Sequence, residues 1–135
     1  MSDRAVAIGL KIPDNTAYTA FVTLRRLGVD VERVERSDIV QFAEDDGVED
    51  VHLRERVRGD ESLFNPNKHR LTVLDRGGPR SGEVWIETLG GENASMRRYV
   101  GWRLFGRGNA PATHEVLTAA VEALLCNPAI ERAIY

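Results

Sequence analysis

The sequence is poor in the residues that build covalent or metal-centred chemistry. Its single cysteine, Cys126, leaves no internal disulfide and no cysteine-built zinc site. The three histidines, His52, His69 and His114, fall on separate segments, with no metal-type spacing to one another or to Cys126. None of Ser2, Ser37, Ser62, Ser81 and Ser95 sits in a Gly-x-Ser-x-Gly turn, and a nucleophile needs a base held beside it. Gly77-Gly78 and Gly106-Arg107-Gly108 do not extend to a Walker-type or dinucleotide fingerprint. No cofactor, metal or catalytic residue is expected. Nor does any apolar run approach the ~20 residues of a membrane span. The opening Met-Ser-Asp-Arg lacks the apolar stretch of a secretory signal. Charged residues reach 29%, yet the net charge is only −3, which excludes a polyanion binder over the whole chain and a disordered acidic tail. With 42% apolar residues, a chain of 135 suits one cytoplasmic domain with its own core and no membrane partner.

What is present is a strand–helix–strand pattern at each end. Ala5 to Ile12 reads as a strand ended by Pro13. Asp14, Asn15 and Thr16 are N-cap types, so a helix follows, with Phe21, Leu24 and Leu27 at helical spacing, Arg25 and Arg26 outward, and Gly28 just past its end. Val29 to Arg36 is a second strand with Val31 and Val34 inward, and Ile39 to Ala43 either continues it or forms a third after a turn at Ser37-Asp38. Near the other terminus Thr113 is an N-cap, and Val116, Leu117, Ala120, Val121, Leu124 and Leu125 give the stripe of a helix packed on a sheet. Pro128 stops that helix near Cys126 or Asn127, and Ala129 to Tyr135 is a final strand. Cys126, on the inner side of the helix end, reads as a small buried residue.

The middle differs in character. Glu44 to Asp50 is an acidic run that reads as a loop, whereas Val51 to Ala110 carries an excess of arginine and lysine. A β-hairpin is expected there, from His69 to Asp75, a turn at residues 77–82, and Glu83 to Leu89. Asn93 to Phe105 reads as a short helix with Met96, Tyr99, Val100 and Leu104 on one face. Lys68, Arg70, Arg76, Arg80, Arg97, Arg98, Arg103 and Arg107 interleave with Phe64, Trp85, Tyr99 and Trp102. Such a mixture holds phosphates and stacks on bases, anchors protein interfaces, or is a core with a solvated rim.

Two local runs resemble the PurS subunit of phosphoribosylformylglycinamidine synthase. Leu24-Arg25-Arg26-Leu27-Gly28 before Val29 to Val34 is similar to that family's first helix end and second strand. Leu124-Leu125-Cys126-Asn127-Pro128-Ala129-Ile130-Glu131 is similar to its closing run. The resemblance implies a non-catalytic subunit bridging a glutaminase and a synthetase, and a homodimer or higher oligomer. The expected fold is an α/β (α+β) sandwich of the split β-α-β kind. One domain, residues 1–135, would carry an inserted hairpin and short helix at about residues 44–111 with no counterpart in that family. The rival reading is a regulatory or binding domain. In it Arg70, Arg80, Arg97, Arg98 and Trp102 contact a phosphorylated small molecule or RNA, RNA being the less favoured partner.

Overall fold

Strand β1 (Arg4–Leu10) leads through Pro13 into helix α1 (Asn15–Arg26). Asp14 caps the helix: its carboxylate accepts from the amides of Thr16 at 2.9 Å and Ala17 at 3.1 Å. Gly28, at φ +87°, turns the chain out of it. Strand β2 (Arg33–Phe42) then runs through Ser37 and Asp38 without a turn. Helix α2 (Asp50–Arg58) follows, then β3 (His69–Val73), β4 (Glu83–Thr88) and β5 (Met96–Phe105). A single 3₁₀ turn (Arg107–Asn109) precedes α3 (His114–Ala120), which passes into a π-helical turn (Val121–Leu125), and β6 (Glu131–Ile134) closes the chain. This computed structural model describes residues 4–42, 49–90 and 96–135. Most of the acidic run, and Asn93 to Ser95, lie outside those residues. No helix among the described residues is long and apolar enough to cross a membrane.

The architecture is a mixed α+β sandwich, as the sequence predicts. Six strands form one sheet in the order β3-β1-β2-β5-β4-β6, every pairing antiparallel. Side chains alternate between the two faces of a strand, and all three helices cover the same face. Toward α1 and α3 it presents Val84, Ile86 and Leu104, packed on Leu24, Leu117, Ala120, Val121 and Leu125. Toward α2 it presents Val6, Ile8, Val40 and Phe42, packed on Leu53 and Val57. Among the described residues no helix packs on the opposite face. There Ala5, Ala7, Ile39, Trp85 and Tyr99 are covered by Leu74 and the β3–β4 connection, pinned where Gln41 Nε2 donates to the Gly77 carbonyl at 2.6 Å.

Several expectations are corrected. The hairpin strands exist but do not pair: β3 pairs with β1, and β4 lies between β5 and β6. The short helix expected up to Phe105 is strand β5 over its described residues. The middle block is not an add-on set beside a finished sheet, since β3, β4 and β5 all come from it and Trp85 is 1% exposed. Helix α2 was not anticipated; its only buried residues are Leu53 and Val57, one turn apart. Leu27 lies at the α1 C-cap and Leu124 in the π turn, and both are exposed. The wider turn, closed by the Cys126 amide donating five residues back to the Val121 carbonyl at 3.3 Å, carries Leu124 off the apolar stripe and keeps Leu125 on it.

Candidate functional site

The β1–β2 ladder stops at the Ile8–Asp38 pair, whereas β2 pairs with β5 as far as Arg33. Among the described residues, residues 33–37 of β2 therefore have a strand neighbour on one side only. Where β1 peels away, a notch of about 540 Å³ opens beside the sheet. Its floor is small on the helix-free face, with Ala7 and Gly9 on β1 and Ser37 on β2. A side chain at Gly9 would bring its Cβ to 3.7 Å from Ser37 Oγ, in the floor itself.

Arginines from four parts of the fold line the notch: Arg33 and Arg36 on β2, Arg70 on β3, Arg80 in the β3–β4 connection, and Arg103 on β5. Most are fixed by a carboxylate. Arg36 Nε donates to Asp14 Oδ2 at 3.2 Å. Arg33 pairs with Glu35 and stacks over the Phe105 ring at 3.9 Å. Arg80 donates through its amide and Nε to Glu83 Oε1, at 2.9 and 3.1 Å, and through Nη2 to Oε2 at 2.7 Å. That grip depends on local backbone. Gly82, at φ +72°, sits where a Cβ would be 2.9 Å from the Leu104 carbonyl oxygen and the Ala112 nitrogen. Gly101, paired with Trp85 further along the β4–β5 ladder, leaves room for the buried Glu83 carboxylate, because a Cβ there would lie 3.1 Å from Oε2.

Two arginines are left poorly satisfied. Arg70 is exposed, and no hydrogen bond or ion pair engages its guanidinium among the described residues. Arg103 sits opposite both Glu35 and Glu83, yet its ion pair to Glu35 Oε1 is long, 3.8 Å, and its Nε is buried without a hydrogen-bond partner among the described residues. Burial, followed by repulsion from Arg80, holds the Arg103 guanidinium below the usual arginine range. A cation that is partly desolvated and crowded by another cation gains from an added anion, and a guanidinium suits the several oxygens of a phosphate.

Of the residues predicted from sequence, Arg70 and Arg80 meet in this notch. Arg97 points from the same sheet face at its far end, where Glu87 accepts from it at 2.6 Å and from Arg132 at 3.0 Å. Arg98 and Trp102 lie on the helix-covered face; Arg98 is exposed, and Trp102 packs against the α1–α3 core. Sequence reasoning named Arg103 in the basic block without selecting it and missed Arg33 and Arg36. The signal for Arg33 was the alternation Arg33, Glu35, Ser37 along one face of β2; Arg36, on the other face opposite Trp102, had none.

Two of the three histidines are engaged structurally, and His52, on α2, is exposed. His69 Nδ1 accepts from the Asn65 amide at 2.9 Å, and His114 stacks edge-on against Tyr135 at 4.9 Å. Burial, with Glu131 adding to it, pushes the Cys126 thiol above its ordinary value, against a role as nucleophile. Among the described residues no three His, Cys, Asp or Glu side chains cluster as a metal site.

Comparison with protein-family models, with curated proteins and with solved structures finds no match for this chain.

Proposed function

We propose that the protein is a non-catalytic binding domain whose arginine-lined notch takes a small phosphorylated ligand. One observation carries this reading: Arg70, Arg80 and Arg103 line one cleft, and Arg70, exposed there, has no hydrogen-bond or ion-pair partner among the described residues. The carboxylates around the notch support the non-catalytic part. Asp14 and Glu35 are each paired to an arginine, Asp14 also caps α1, and Glu32 lies 3.9 Å from Arg25, so each carboxylate of the lining already has a cation beside it. The test is equilibrium dialysis of the full chain against inorganic phosphate at low salt, where exposed charges are least screened. Saturable binding that Arg70→Ala and Arg103→Gln each weaken supports the reading. Binding indifferent to both substitutions rejects it.

A PurS-like, cytoplasmic, homo-oligomeric subunit bridging a glutaminase and a synthetase is a second reading. Strands β3 and β6 favour it, each having a neighbour on one side only among the described residues, as sheet edges that pair between subunits do. Light scattering of the purified chain, and its co-elution with such subunits, tests it. A strict monomer that retains neither partner rejects it.

A further inference from the structure

The notch is larger than a phosphate needs, and its lining is mixed in kind. Small-molecule sites run to about 300–1,000 Å³, and about 540 Å³ falls within that range while leaving a bare phosphate mostly unsupported. Arginines of the sheet line it, and so do apolar side chains: Leu10, Ile12 and Tyr18, three of the nine exposed large hydrophobic residues among the described ones, edge this opening. Tyr18 is 67% exposed, and its ring centroid lies 6.3 Å from that of Phe21, which also lines the notch. Clustering of exposed apolar surface at a cationic cleft points to a ligand with an anionic end and a flat apolar body.

An aliphatic body fits poorly, because Glu32, Glu35 and Ser37 also line the opening and would lose water without gaining donors. A nitrogen heterocycle presents N–H groups to those carboxylates and a π-face to Tyr18, and a sugar presents hydroxyls to Ser37 and Thr72. We propose, resting on the phosphate-binding reading above, that the ligand is a nucleoside 5′-phosphate. Its phosphate lies against Arg70, Arg80 and Arg103, and its base lies against Tyr18.

Isothermal titration of the full chain with adenosine 5′-monophosphate, inorganic phosphate and adenosine separates the two readings. The nucleotide is expected to bind about tenfold or more tighter than phosphate, the size of one base–aromatic stack. Tyr18→Ala should remove that advantage, and Tyr18→Phe should keep it. Tyr18 is exposed, so neither change threatens the fold. Equal affinity for nucleotide and phosphate, or a nucleotide affinity untouched by Tyr18→Ala, overturns the nucleoside proposal and leaves phosphate binding standing. Adenosine binding as tightly as the nucleotide, or no binding of any of the three, overturns both.

Discussion

Arg80 clasps Glu83 through two side-chain bonds, Nε to Oε1 at 3.1 Å and Nη2 to Oε2 at 2.7 Å, and the Glu83 side chain is wholly buried. The same guanidinium stands beside Arg103 at the notch, so one residue neutralises a charge inside the sheet and shapes the field outside it. Removing the Arg80 side chain would leave that buried carboxylate only the residue-80 amide and the Arg103 charge across the ladder.

Arg80→Ala should therefore destabilise the fold by about 3 kcal/mol or more, the range for breaking one side of a buried pair. Adding Glu83→Gln should recover part of the loss, because the buried charge is then gone. Urea denaturation of both variants checks this. A loss below about 1 kcal/mol for Arg80→Ala would show that Glu83 reaches water or another cation.

Leu124 and Leu125 are neighbours in sequence and opposites in burial, 41% and 8% exposed. Leu125→Ala should cost about 2–4 kcal/mol and Leu124→Ala less than about 1. Equal shifts in thermal midpoint would mean that α3 continues as a regular helix, without the wide turn at Val121–Leu125.

Tyr99 donates its hydroxyl to Gln41 Oε1 at 2.6 Å, and burial, partly offset by the Arg97 charge, pushes it up to about 12. The folded state thus resists ionisation that the unfolded chain undergoes near its ordinary value of about 10. The stability Tyr99 contributes is complete below about pH 10 and is lost as pH rises through about 12. Denaturant midpoints should fall more steeply across that window in the wild type than in Tyr99→Phe. Parallel profiles would contradict the assignment.

Local chemistry was the part of the fold legible in the sequence. Asp14 and Thr113 cap their helices through their own side chains, and Gly28 ends α1 in the left-handed region. The Asn127 to Glu131 run is also local. Its Asn127 amide donates to Glu131 Oε1 at 2.9 Å, and the Asn127 carbonyl accepts from the Glu131 amide at 2.8 Å. A self-contained turn of this kind accounts for the conspicuous spacing of that run. Strand β5 was misread because it is interior to the sheet. Leu104 packs under the helices while Tyr99 packs on the other face, so apolar residues occupy both parities and the period of two disappears. Pairing order was hidden for a different reason: β3 bonds to β1 across more than fifty residues, and no turn signal encodes that partner. The notch inherits the same difficulty. Its arginines come from β2, β3, β5 and a connection, so composition could name Arg70 and Arg80 but not bring Arg33, Arg36 and Arg103 beside them.

The most direct test of phosphate binding at the notch reads the arginines themselves, by following their Nε–H resonances during a titration with inorganic phosphate. The account predicts saturable shifts at Arg70, Arg80 and Arg103, with Arg26 and Arg107, both exposed and away from the notch, staying still. A uniform drift of every arginine, or silence at Arg103, would contradict it.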